Sequence, residues 1–162
     1  MADIYDAELT PGKLEVIADC CAARIGRPTS TSTRPRSRRS PPYRFDDPAG
    51  EVGLEVHIVR AGDRVLQVPL SYRGAPLDGA EAALVSTMEH SVLGRRWVYA
   101  GMGDPLFRQR LDHTIATAGT SARQYRVNDE GNRIDEIAEV AHAVGTGPLP
   151  GAGDVEMLRE LT

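Results

Sequence analysis

The stretch Gly53-Leu54-Glu55-Val56-His57-Ile58-Val59-Arg60-Ala61-Gly62-Asp63-Arg64-Val65-Leu66-Gln67-Val68-Pro69-Leu70-Ser71-Tyr72 decides the fold. Leu54, Val56 and Ile58 alternate with Glu55 and His57. After the short Ala61-Gly62-Asp63 connection, Leu66, Val68, Leu70 and Tyr72 repeat the same period. Successive side chains of a strand point to opposite faces, so this pattern predicts two half-buried strands, with Glu55 and His57 on the polar side. Two such runs across a short link read as an antiparallel hairpin. Pro69 has no amide hydrogen for a ladder, so its amide side is expected at an edge or bulge.

Reading outward from the hairpin, Gly94–Ala100 is expected to be a strand, with Trp97 and Tyr99 on one side and Val98 on the other. Residues 73–79 form a loop. Residues 83–91 stay open between helix and strand: their alanines suit one, Leu84-Val85-Ser86-Thr87 the other. Thr10-Pro11 is a cap-then-proline signal, and Leu14, Ile17, Ala18 and Cys21 follow at helical spacing, so a helix is expected over about 11–22. Asp104-Pro105 repeats the signal, and Phe107, Leu111, Ile115 and Ala118 extend a second helix to about 118, which Gly119 is placed to end. Ile4–Glu8 reads as a short strand, and 124 to about 144 as a last hairpin around Asn128-Asp129-Glu130-Gly131. Hairpins plus two helices predict an α+β domain: a curved antiparallel sheet with one or two helices packed on one face. Four stretches follow: 1–23, an N-terminal strand and helix; 24–42, without structure; 43–144, the rest of the domain; 145–162, a loose tail rich in Gly and Pro.

The chain has 162 residues, 23 acidic and 19 basic, with 5% aromatics. Seven arginines fall within 20–44, which holds no acid and, over 24–42, almost nothing apolar. Such a segment cannot offset its ordering entropy by burial. No run approaches the roughly 20 apolar residues of a membrane helix, and the N-terminus lacks a signal-peptide pattern, so a cytoplasmic protein is expected without a membrane partner. The adjacent Cys20 and Cys21 read as ordinary helix residues. His57, His90, His113 and His142 lie too far apart for metal-ligand spacing, so neither metal nor cofactor is expected. The Arg36–Arg39 run has no groove-reading motif or stacking aromatics beside it, so a solvated loop is expected rather than a nucleic-acid contact.

Three runs carry a family resemblance: Tyr43-Arg44-Phe45-Asp46-Asp47-Pro48-Ala49-Gly50-Glu51-Val52-Gly53-Leu54-Glu55, Val68–Glu81 and Glu89–Tyr99. They resemble the stand-alone maltokinase N-terminal cap-like proteins of actinobacteria, some labelled 1,4-alpha-glucan branching proteins. The resemblance covers about 1–20 and 43–135. It implies a cystatin-like sheet, a link to trehalose and α-glucan metabolism, and no catalytic residues, since those of maltokinase lie in kinase lobes. This chain departs from the family over 20–42, where a genuine insert and a compensated pair of reading-frame shifts both fit, and at Ala100, where relatives carry Asp.

Phosphoryl transfer needs a glycine loop with a lysine and a set of metal-binding carboxylates. The one lysine, Lys13, lies in the first helix. A barrel-type branching enzyme needs about 250 residues. The first expectation, which the resemblance implies, is a non-catalytic accessory module contacting a glucan- or trehalose-pathway enzyme. The alternative is a small-ligand-binding or catalytic domain built on Asp78, Glu81, His90 and Arg95. The candidate binding residues are Arg73, Asp78, Glu81, His90, Arg95 and Arg96, the densest polar grouping; surface charge and loop-fixing pairs are the plainer reading of it.

Overall fold

A computed structural model describes residues 1–25, 40–61, 63–128, 130–138, 141–147, 157, 160 and 161. The strands are β1 (Ala2–Tyr5), β2 (Leu9–Thr10), β3 (Ser40–Phe45), β4 (Gly53–Ala61), β5 (Arg64–Arg73), β6 (Leu84–His90), β7 (Gly94–Ala100), β8 (Gln124–Val127), β9 (Arg133–Glu136) and β10 (Glu160–Leu161). The helices are α1 (Lys13–Ile25) and α2 (Pro105–Ala116). The main sheet runs β2-β6-β7-β5-β4-β3, all antiparallel, and β10 adds to β5. A second sheet pairs β1 parallel to β8, with β9 antiparallel beyond it. The α+β class follows.

The expected hairpin is β4–β5, in register from Gly53 opposite Tyr72 to Ala61 opposite Arg64. On its other side β5 pairs β7 at Leu70–Arg73 and β10 at Val65–Leu66. Pro69 falls between those two pairings, where its missing amide hydrogen interrupts no ladder. The segment left open at 83–91 resolves into a 3₁₀ turn at Glu81–Ala83 followed by β6.

The two helices divide between the faces of the sheet, one to each. Val16, Ile17 and Cys20 of α1 pack on Val59, Leu66, Val68, Leu70 and Tyr72, with Met88 and Val98. Phe107 and Leu111 of α2 pack with Tyr43, Phe45, Leu54 and Val56. Leu54 and Val56 alternate with Glu55 and His57, so the two clusters lie on opposite sides of β4. One consequence overturns an expectation: Glu55 and His57 are buried, at 2% and 8% exposure, not on a solvent side.

Local chemistry explains the ends of the helices. Gly12, not Thr10, caps α1. Its carbonyl accepts the amides of Glu15 and Val16, and the Glu15 carboxylate reaches back to the Gly12 amide at 2.8 Å, half of a capping box. Asp104 caps α2 as expected, accepting the Leu106 amide at 2.9 Å ahead of Pro105. α2 stops at Ala116. Ala118, not Gly119, takes the left-handed conformation (φ 51°), and the Gly119 amide closes onto the Thr114 carbonyl.

α1 extends to Ile25 and β3 starts at Ser40, so both enter the 24–42 stretch expected to lack structure; 26–39 lie outside the described residues. In the 145–162 stretch expected to be loose, the Gly145 amide bonds the Gly119 carbonyl, Gly147 bonds Ile115, and β10 joins the sheet. Trp97 is half-buried. It packs with Leu77, Ala80, Ala83 and Tyr99, on the side opposite Val98 as expected. Among the described residues no helix is long and apolar enough to cross a membrane.

Candidate functional site

Glu55 sits at the centre of a buried charge network on the α1 face. Lys13 Nζ, from the first turn of α1, donates to Oε1 at 2.8 Å and to Oε2 at 2.9 Å. Arg44 of β3 donates to Oε1. His57, two residues on along β4 and hence on the same face, places Nε2 3.0 Å from Oε2 and 3.1 Å from the Tyr72 hydroxyl of β5. An ionised carboxylate only accepts, so the ring hydrogen sits on Nε2. Burial alone would raise the Glu55 pKa, but the charges of Arg44 and Lys13 and the His57 bond outweigh it and hold the carboxyl well below its ordinary range. Burial, reinforced by the Glu55 charge, pushes the Tyr72 phenol well above its ordinary value. Lys13 also lies 5.3 Å from the centre of the Tyr72 ring.

This network forms part of the lining of a cleft of about 660 Å³ that is also walled by β1. The cleft takes in Lys13, Arg44, Glu55, Tyr72, His90 and Arg96, along with the apolar Leu9, Phe45, Met88 and Leu93. A volume of that size is within the range of small-molecule sites. Arg96 is half-buried, donates to the Leu93 carbonyl at 3.0 Å, and lies so close to Gly74 that a Cβ there would stand 3.0 Å from Nη1. His90 Nδ1 accepts the amides of Val92 and Leu93 at 3.2 and 3.1 Å, which fixes the β6–β7 turn. Partial burial, then the charges of Arg96 and Lys13, lower its pKa.

A second ion cluster lies on the α2 face. The fully buried Asp104 accepts Ser71 Oγ at 2.6 Å and Arg73 Nε and Nη2 at 2.7 Å each, besides capping α2. Burial opposes its ionisation, yet the Arg73 and Ser71 bonds prevail and its pKa falls. Its bonds to Asp104 raise that of Arg73.

The six residues singled out from the sequence do not form one constellation. Arg73, His90 and Arg96 line the cleft. Asp78 lies exposed in the 74–80 loop, and Glu81 accepts the Gly79 amide at the surface. Arg95 pairs with Glu89 at 2.7 Å on the face opposite His90. Sequence reasoning passed over Lys13, Arg44, Glu55, His57 and Tyr72. The available signal was a Glu and a His two apart in a strand with a tyrosine in its hairpin partner. Among the described residues no group of His, Cys, Asp or Glu is placed to hold a metal ion.

These features define a small α+β module with a donor-lined cleft. Residues 29–104 match the model of the maltokinase N-terminal cap domain, so that stretch is similar to such a cap. The match is shorter than the sequence resemblance at its C-terminal end and omits α1, but it takes in part of the arginine-rich segment. No curated protein and no solved structure matches the chain.

Proposed function

We propose that this chain is a non-catalytic, cytoplasmic accessory module of trehalose and α-glucan metabolism that works by contacting an enzyme of that pathway. The similarity of residues 29–104 to the maltokinase cap carries the reading. Two features support an interaction role. β2 covers only the last two residues of β6, at Glu89 and His90. Around that edge Leu84, Val92 and Leu93 are 42%, 55% and 42% exposed. A sheet edge with exposed apolar side chains suits a protein partner. The alternative built on Asp78, Glu81, His90 and Arg95 finds less support, because of these four His90 alone lines the cleft.

Biolayer interferometry against purified enzymes of trehalose and α-glucan metabolism tests the reading. Saturable binding to one of them, weakened by Leu84→Asp or Val92→Asp, is expected. No binding to any, or ATP-dependent phosphorylation of maltose by the pure chain, would sink it.

A further inference from the structure

Cationic donors gather in the cleft around a carboxylate that is already taken. Both Glu55 oxygens are occupied by Lys13, Arg44 and His57. Of the four rim carboxylates, three are turned to other work and the fourth, Glu51, is exposed. Asp3 takes Arg133 at 2.6 and 3.3 Å, Asp47 takes the amides of Ala49, Glu51 and Val52 within its own turn, and Asp46 takes the Met1 amine at 2.6 Å. On the donor side, Lys13, Arg44 and Arg96 all line the cleft; the Nε–H groups of Arg44 and Arg96, like that of Arg110 on α2, are buried without a hydrogen bond among the described residues, so a ligand would meet these arginines through their outer nitrogens. A guanidinium is matched best by a carboxylate or phosphate. His90 lies in the same cleft, its pKa lowered first by burial and then by the charges of Arg96 and Lys13. Leu9, Met88 and Leu93 add apolar wall next to these cations.

We propose that this cleft is a binding site for a small organic anion, whose phosphate or carboxylate oxygens are taken by Arg44 and Arg96 and whose apolar body lies against Leu9, Met88 and Leu93. The proposal does not rest on a protein contact through β6, although Met88 belongs to that strand and Leu93 both lines the cleft and is exposed beside its edge. Its arginines come from β3 and β7, at opposite ends of four neighbouring strands, so the folded sheet assembles it. Arg95, adjacent in sequence, projects to the other face and takes no part.

The test titrates the full chain with phenyl phosphate and benzoate, with phenol as an uncharged probe of similar body, by calorimetry and by ¹H–¹⁵N NMR. At least one anion is expected to saturate, moving the amides of 72–74 and 90–96, while phenol binds more weakly. Arg96→Gln should weaken the anion by about tenfold or more, the loss of a charge-assisted bond. Arg96→Lys, which keeps the charge, should recover part of that loss, and Arg95→Gln should change nothing. Amide shifts outside the cleft that match wild type will show that the Arg96 variants fold. The proposal is overturned if neither anion saturates at millimolar concentration, if phenol binds as tightly, or if Arg95→Gln weakens binding as much as Arg96→Gln.

Discussion

Glu55→Gln tests the buried network most directly. The carboxylate joins three strands and a helix: Arg44 on β3, His57 on β4, Tyr72 on β5 and Lys13 at the start of α1. Gln fits the same space, but its amide nitrogen is one more donor facing Lys13 and Arg44. Breaking one member of a buried ion pair costs about 3–5 kcal/mol, because the partner's charge stays buried. That is a large share of the roughly 5–15 kcal/mol that holds a domain folded. For a chain of this size it predicts a Tm lower by about 6–20 °C at neutral pH. Hydrogen exchange should show α1 losing protection before α2, since Lys13 ties α1 and nothing in α2 touches Glu55. The pH dependence has a defined sign. A carboxyl whose folded pKa is depressed stabilises the protein above the unfolded value, near 4.3, and that stabilisation is lost as pH falls through the folded value. The gap between wild type and Glu55→Gln should therefore be full at neutral pH and shrink below about pH 4. Thermal unfolding followed by circular dichroism across pH 3–7 measures both, and a Tm change under about 2 °C at pH 7, or a gap indifferent to pH, would refute the reasoning.

Asp104→Ala should cost about 3–5 kcal/mol in urea unfolding, and Asp104→Asn less, since Asn can still cap the Leu106 amide. Equal losses would show that the cap contributes nothing measurable. Trp97→Ala should cost about 1–3 kcal/mol, below the range for a fully buried tryptophan, and the native emission should lie between buried and water-like; an unchanged unfolding midpoint would place Trp97 outside the fold's energetics. Burial holds the Tyr43 phenol up at about 12 and Tyr72 well above its ordinary value. A raised folded pKa stabilises below the unfolded value and is lost above it, so stability should decline as pH rises beyond about 10, and spectrophotometric titration should find two tyrosines ionising late.

What the sequence reveals of the fold is what local chemistry decides. The β4–β5 hairpin follows from two runs of period two, and the start of α2 from Asp104-Pro105. α1 begins later than its Thr10-Pro11 signal because Gly12 and Glu15 supply a cap of their own, while Thr10 is used by β2 against Glu89. Gly119 looked like the terminator of α2, yet the left-handed residue is Ala118. The chain must double back there so that Gly145 can approach: a Cβ on Gly145 would stand 2.0 Å from the Thr114 carbonyl oxygen. That constraint comes from a segment distant in sequence, and no pattern around Gly119 contains it.

The charge network escaped the sequence for a related reason. Alternation says that a strand has two faces; it does not say that both are covered. With one helix layer, Glu55 and His57 would face water, and the polar side of β4 would be ordinary. Here α2 takes Leu54 and Val56, and α1 closes over the other side, so the polar set of the same strand becomes interior. A carboxylate placed there stays ionised only if cations come with it. They arrive from positions that no local pattern connects to Glu55. Lys13, the chain's single lysine, stands 42 residues away in the first turn of α1, and Arg44 stands 11 residues away in the neighbouring strand. Density of charge along the chain therefore selected 73–96, where Arg95 and Glu89 pair in solvent. Burial selects the far sparser set of Lys13, Arg44 and Glu55. A sparse set that is buried is the more informative one, because each of its members would be destabilising without the others.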